Sequence, residues 1–521
     1  MVATVLTDES AIAKDPKKKY AVDKIFNIPE GLINREGDDL RPPAVYRSQF
    51  MRDRDRLMYS PAFRRLSGKT QIYTVGTADH LQNRLTHTLE VAQIAKTIAI
   101  ALDLNADLAE AIAIGHDFGH TPFGHAGEEM LHEIMSLGSP YIDESPFSSK
   151  KGNPGWFPYV RKDIDVPADW SPSFGFKHNI QSVRLVTRLE NSYVDNNKNT
   201  GLNLTNFTLF GMMRHSSMMY ANTKLDTPSF QNDFKQLCTL KGTDIDAWSF
   251  EAYIVEIADD IAQWHHDLED ALREGALTIK HICELVAEAL FPNGRSYNDG
   301  CSYNEIERLE TIAGKPYLSK ASIREICSIV VNALVTDLIE QSYENFNILH
   351  KSVKAWQTNH PGETTNISEK LFIDFDKMGL KDENGDSIKK GSIIAFSSSI
   401  KKDTFKKSIK ESIHHSRNVE RMNTKGRYII RKLFDAYFSN PHLLPDNSVR
   451  FLMSQIKGEA EMAQLNERGI GAIRSEFNKI WKDSKEHSTI YQQAMLMRTI
   501  CDHIASMTDR YAIDEFERLY G

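Results

Sequence analysis

The chain has 521 residues, 41% of them apolar and 26% charged, with a formal charge of -8. That length exceeds what one small hydrophobic core serves, so two or more lobes are expected. The acidic balance excludes a dedicated nucleic-acid coat protein but leaves local basic patches open. No stretch approaches the roughly 20 apolar residues that span a bilayer, and the N-terminus lacks a signal-peptide core, so no membrane association is expected. The five cysteines (Cys238, Cys283, Cys301, Cys327, Cys501) are scattered without CxxC spacing. A disulfide or zinc-finger framework is thereby disfavoured, and a cytoplasmic protein is expected.

In chain order, residues 1–44 read as a polar N-terminal arm. Arg47 to Leu66 carries six arginines, which make either a solvated basic face or a phosphate- or partner-binding surface. Arg84 to Leu102 predicts a helix apolar on two sides, with Arg84 and His87 three apart at its start. A second apolar helix, Ala106 to Ile114, leads into His116-Asp117, after which Gly119, Pro122 and Gly124 bend the chain. Residues 136–176 are rich in Pro, Gly and aromatics and read as an ordered insertion, either a lid over a cleft or a surface excursion.

Ile180 to Leu189 predicts another helix, with Lys177, His178, Asn179 and Gln181 clustered where free N–H groups favour anions. Ser249 to Leu272 is strongly periodic. Its apolar stripe runs from Ile257 to Leu272, and Asp259, Gln263 and Asp267 form a polar row beside it. Helix continues over Ile323 to Ser342, and 346–400 reads as a linker or hairpin with turn signals. Met422 to Tyr437 and Ser484 to Arg510 are again helical. The fold class is all-α.

The densest chemistry lies in His116 to Glu128, three imidazoles and two carboxylates in thirteen residues. Buried groups of this kind need hydrogen bonds or a metal. With His87 and Asp259, His116-Asp117 makes a mixed His/carboxylate set suited to a divalent Mn, Mg, Fe, Co or Zn ion. His125 and Glu128 lie three apart, so the carboxylate can orient the imidazole for acid/base or nucleophilic work.

His87, His116-Asp117 and Asp259 together resemble the ligand pattern of the HD-domain phosphohydrolase superfamily. More narrowly, Asn83 to Val91 and His116 to Glu128 resemble the deoxyguanosine triphosphate triphosphohydrolase-like (dGTPase-like) family. So do Pro61 to Gln71, His178 to Ser182, Ala258 to Ala262 and Ile504 to Ala512, all in family order. The resemblance implies an all-α HD core with an added C-terminal helical region. It also implies cleavage of a deoxynucleoside triphosphate, most often dGTP, to deoxynucleoside and inorganic triphosphate by attack at the α-phosphorus.

Carried over by position, His87, His116, Asp117 and Asp259 would hold the metal. His125 and Glu128 would be the catalytic pair, with His120 and His178 near the phosphates and Arg84 contacting them. Gln71 and Ile72 would face the sugar, and Asp267 would accept its 3′-hydroxyl. Two positions depart from the pattern: Arg214-His215 stands where the family often has Lys-Tyr on the triphosphate, and Gln263 where it commonly has Tyr near the sugar. Glu420, Lys425 and Arg427 are candidates for base contacts.

The expected organisation is an arm at 1–44, a catalytic core at 45–345 carrying the 136–176 insertion, a linker or hairpin at 346–400 and a C-terminal helical region at 401–521. A homo-oligomer, tetramer or hexamer, is expected from the family habit. Two rival readings are another HD nucleotide phosphohydrolase and a nucleotide-sensing or single-stranded nucleic-acid-binding protein. The second is motivated by Arg47 to Arg65, Lys401-Lys402 and Lys406-Lys407.

Overall fold

The computed structural model describes residues 47–71, 83–135, 176–190, 194–195, 198–199, 201–213, 249–273, 278–292, 304–315, 317–361, 375–414, 417–457, 459–481 and 490–521. The arm at 1–44, Ile72, Arg214, His215, Cys238, Cys301 and nearly all of the 136–176 insertion lie outside them. The described residues form eighteen α-helices and one two-residue antiparallel pair, Val194↔Asn199. The fold is all-α.

The helices begin where capping chemistry allows. Helix α1 (Gln49–Met58) is capped by Ser48 and the short α2 (Pro61–Arg65) by Ser60. Helix α3 (Arg84–Ala101) opens on a capping box, in which Asn83 accepts from the Thr86 N–H and Thr86 accepts from the Asn83 N–H. Asn105 caps α4 (Ala106–Gly115) through the Leu108 N–H. Then come α5 (Gly124–Met135), α6 (His178–Arg184), α7 (Asn206–Met212) and the long α8 (Phe250–Arg273).

All of these helices except α5 share a first core. Leu57, Val91, Ile98, Ile112, Ile254, Ile261 and Leu268 are all fully buried in it. Helices α9 (Ile279–Leu290), α10 (Glu305–Ala313) and α11 (Lys320–Asn359) close its far side, with Val330, Leu334, Phe346 and Leu349 pointing inward.

The stretch 346–400 differs from its reading as a linker. Helix α11 runs on to Asn359, because Phe346, Leu349 and Val353 continue its apolar stripe. Further on, Phe375, Leu380, Ile393 and Ile394 are buried in the first core, and Asn345 donates to the Ser392 and Ile393 carbonyls. Among the described residues of this stretch, the turn at Asp382 to Asp386, with Gly385 at φ +88°, keeps the expected hairpin character.

Helix α12 (Lys402–His414) joins the first core through Phe405 and Ile409, and a second core forms on α13 (Arg417–Ser439), α14 (Asp446–Lys457), α15 (Glu459–Glu467), α16 (Ile470–Trp481), α17 (Ile490–Ala505) and α18 (Asp509–Tyr520). The helix expected over Ser484 to Arg510 is divided, because Thr508 caps α18 through the Tyr511 N–H and starts a new axis. Helix α5 belongs to this second core through Met130, Leu131 and Ile134, with Phe123 just before it, whereas α4, the preceding helix in the chain, belongs to the first. The bend at 116–123 therefore lies on the seam between the two cores.

One group in the second core makes stability depend on pH. His503 on α17 is half-buried beside the Tyr437 hydroxyl at 3.3 Å, and that hydroxyl donates to Glu515 at 3.0 Å. Burial pulls the His503 imidazole down to about 4, whereas an unfolded histidine titrates near 6.5. Between about pH 4 and 6.5 the unfolded chain binds the proton and the fold does not, so stability rises with pH across that window, by roughly 3 kcal/mol at most. A urea midpoint that climbs over this range, and climbs less in His503→Gln, is the expected result.

Candidate metal and phosphate site

Four elements bring the site together. The capping box at Asn83 sets the first turn of α3, which buries Arg84 and His87 on the same side. His116 ends α4, and its Nδ1 lies 2.6 Å from the Ala113 carbonyl oxygen. That bond places the hydrogen on Nδ1 and turns the Nε2 lone pair inward, the arrangement metal-bound histidines use. Asp117 follows in the bend, and Asp259 comes from the middle of α8.

The bend is held by small residues and by the second core. A Cβ on Gly119 would overlap the His178 carbonyl oxygen and the Ser182 nitrogen, so glycine lets α6 close on the loop. Ser182 Oγ accepts from the Gly119 N–H and donates to the His116 carbonyl, both at 2.8 Å. Phe123 is a non-glycine residue at φ +62°, a strained position held because its N–H donates to Asp509 Oδ1 at 2.9 Å. Asp509 also accepts from Thr70 Oγ1, and buried Lys69 donates to the carbonyls of His120 and Ala505. The first turn of α18 thus anchors both walls of the site.

His87 Nε2 lies 2.8 Å from Asp259 Oδ1, and His116 Nε2 lies 3.6 Å from the same oxygen and 3.3 Å from Asp117 Oδ1. Donor atoms of His87, His116 and Asp259 fall within 4.8 Å of one another, with Asp117 Oδ2 4.0 Å from His87 Nε2. His116 Nε2 is buried with no hydrogen-bond partner. Burial opposes charge on His116, but Asp117 and Asp259 overcome it and pull the imidazole up to about 9. The cluster demands a cation at that nitrogen, and four mixed N/O donors fit a divalent metal ion.

A second group stands beside the first. His120 Nε2 is 3.0 Å from Asp117 Oδ1, and its ring stacks on His178 at 3.6 Å between centroids. Burial, then the Arg84 guanidinium, hold His120 well below the usual imidazole range. Arg84 Nη1 pairs with Asp117 Oδ2 at 2.7 Å. His125 opens onto the cleft, edge-on to His120 at 5.8 Å. Glu128 does not bond His125: its carboxylate pairs with His178 Nδ1 at 2.6 Å and Lys177 Nζ at 2.5 Å. Burial opposes that charge, but His178 first, then His120 and Lys177, hold Glu128 well below the usual carboxylate range.

His87, Asp117 and Asp259 form one wall of a cleft of about 850 Å³, within the range of small-molecule sites. Gln71, Gln263 and Asp267 line it and are hydrogen-bonded in a row, and Glu420 and Arg427 line the side that α13 provides. Lys425 is exposed and is not part of the lining. Ile72, Arg214 and His215 lie outside the described residues.

The basic run is largely engaged within the chain. Arg47 and Arg54 pair with Asp55, Arg56 donates to the Leu202 and Asn203 carbonyls, and Arg65 pairs with Glu190.

One cluster escaped the sequence reading. Glu90 Oε2 lies 2.6 Å from His266 Nε2 and 3.2 Å from His265 Nδ1, and the His266 ring packs edge-on against His87 at 5.2 Å. The signal was available, because Glu90 lies three residues after His87 and a His-His doublet directly precedes Asp267.

An HD domain family model matches residues 84–146, and a phosphohydrolase-associated domain model matches 394–464 and 450–518. A deoxyguanosinetriphosphate triphosphohydrolase-like protein of Bartonella quintana (strain Toulouse) is 31% identical over 92% of this chain and 90% of its own length. Proteins of that description from Bartonella henselae and Rickettsia felis are each 30% identical, over 91% and 92% of the chain and 90% and 93% of their own lengths. The chain belongs to this dGTPase-like family of HD phosphohydrolases. It is therefore a hydrolase, and the HD domain brings a divalent-metal site with it. Among the described residues no helix is long and apolar enough to cross a membrane.

Proposed function

We propose that the chain hydrolyses a deoxynucleoside triphosphate, dGTP foremost, to deoxynucleoside and inorganic triphosphate. The observation that carries this reading is the convergence of His87, Asp117 and Asp259 around His116 Nε2, which has no hydrogen-bond partner, beside three further histidines on a nucleotide-sized cleft. The names of the relatives support the choice of substrate.

Those four residues would hold the ion, whether Mn, Mg, Fe, Co or Zn. When bound, such an ion supplies Lewis acidity toward water and phosphoryl oxygen. Arg84, Lys177 and the neighbouring histidines offset charge on the triphosphate, and Arg214-His215 would do the same from the segment outside the described residues. The net reaction adds water across the bond between the α-phosphorus and the sugar 5′-oxygen, with hydroxyl to phosphorus and hydrogen to the departing sugar oxygen.

His125 is suited to accept and return that proton or to attack directly, because desolvation and then Arg84 pull its imidazole down to about 4 and keep it neutral near pH 7. Glu128 fixes His178 and Lys177 at the phosphates and lends its charge to the group. Gln71, Ile72 and Asp267 would face the sugar, and Glu420 and Arg427 the base. The working assembly is a homo-oligomer in the cytoplasm.

The test is product analysis with dGTP and each divalent ion, then with the other three deoxynucleotides. Release of intact triphosphate is expected. Pyrophosphate or orthophosphate as the first product would overturn the reaction.

A further inference from the structure

A directional row of hydrogen bonds crosses the floor of the cleft, and every link in it has a fixed sense. Asp267 Oδ1 accepts from Gln263 Nε2 at 2.7 Å. A carboxylate can only accept, so it forces the Gln263 amide to present nitrogen on that side and oxygen on the other. Gln263 Oε1 then accepts from Gln71 Nε2 at 2.9 Å. With its nitrogen committed, Gln71 is left with Oε1, which is buried and has no hydrogen-bond partner. Gln71 is 8% exposed and lines the cleft.

A buried acceptor without a donor costs free energy that a ligand donor recovers. An amide free to turn could offer either group; this one cannot, because Asp267 decides its sense through Gln263.

We propose that Gln263 is a positioning residue that sets the polarity of Gln71, so that the cleft selects a nucleotide presenting a sugar hydroxyl donor to Gln71 Oε1. This rests on the nucleotide-hydrolase reading above and goes beyond it by naming what the glutamine at 263 does. The selection arises two residues away from the atom that makes it. A site built around a hydroxyl donor rejects an analogue lacking it far more strongly than an apolar pocket rejects a missing methylene.

Two substitutions separate polarity from mere packing. Gln263→Leu keeps the volume but removes both bonds, so the Gln71 amide can turn and present its nitrogen. Gln263→Glu cannot donate to an ionised Asp267, yet still accepts from Gln71 Nε2 and preserves its sense. The measurement is the ratio of Kd values for dGTP and 2′,3′-dideoxy-GTP with the full chain kept metal-free by chelator, which requires no turnover. Wild type is expected to prefer dGTP by tenfold or more, Gln263→Glu to keep most of that ratio whatever its absolute affinity, and Gln263→Leu to lose about tenfold of it.

An unchanged ratio in Gln263→Leu, an equal loss in Gln263→Glu, or no preference in wild type overturns the proposal. Thermal midpoints of both variants within a few degrees of wild type confirm that the fold is intact, and a Gln71→Leu chain whose preference falls by about tenfold, leaving what Asp267 contributes, supplies an independent arm if either variant misfolds. Product analysis on wild type tests the hydrolase reading separately, so failure of one is distinguishable from failure of the other.

Discussion

His125→Ala is expected to lower turnover by about a thousandfold or more while leaving bound metal unchanged, since a positioned acid/base group contributes roughly 10² to 10⁴ in rate. The expectation follows from where His125 stands. It is absent from the groups whose donor atoms converge, opens onto the cleft, and touches His120 edge-on without reaching Asp117. His116→Ala, by contrast, removes the inward lone pair that the cluster is built around, and should lose metal and activity together. Metal content measured alongside kcat separates the two.

The pH profile adds a signed check. With its imidazole down at about 4, His125 is in its accepting form at all higher pH, and loses it only as pH falls through about 4. Its contribution should therefore show no acid limb between pH 6 and 8, as an unshifted histidine near 6.5 would. Full activity in His125→Ala would remove this residue from the mechanism.

The cluster proposed to hold the metal was legible in the sequence because polar residues sat inside apolar periodicity. His87 on a two-faced apolar helix, His116-Asp117 at the end of another and Asp259 beside Ile257 and Ala258 all break a pattern that burial enforces. The Asp259/Gln263/Asp267 row was legible for a similar reason, since helical spacing alone places those three side chains together.

What spacing could not show was partner choice across elements. Three-residue spacing pointed Glu128 at His125, yet α6 brings His178 and Lys177 closer, and charge-assisted bonds to those two win. The anchoring of Thr70 and Phe123 by Asp509 spans almost 440 and 390 residues of sequence, and no local pattern reports such a contact. The continuation of α11 past Ser342 was missed because its stripe carries Asn, His and Lys between buried positions, which dilutes the periodicity. The seam between the cores was equally invisible, since α4 and α5 are neighbours in sequence and belong to different cores.

That seam makes Asp502→Ala the most destabilising single change expected, at about 3–5 kcal/mol. Asp502 on α17 is 5% exposed and accepts from Arg184 Nε at 3.0 Å, Arg184 Nη2 at 2.8 Å and Gln181 Nε2 at 2.9 Å, with Arg498 Nε 3.6 Å away. Arg184 and Arg498 are each 4% exposed. Removing the carboxylate takes a shared buried partner from two guanidiniums while keeping the cost of burying them.

The loss should reach the site, because Arg184, Gln181 and His178 share α6, and Ser182 on that helix holds the bend after His116. A lower urea midpoint and weaker nucleotide turnover are therefore expected together in Asp502→Ala. Replacing all three charges at once, with Arg184→Met, Arg498→Met and Asp502→Leu, should recover much of the stability, since well-packed apolar residues often match a buried ion cluster. If Asp502→Ala unfolds at the wild-type urea concentration, the network does not hold α6 to the C-terminal helices. Recovery of stability without recovery of turnover in the triple variant would instead show that the charges set the placement of His178 rather than the strength of the fold.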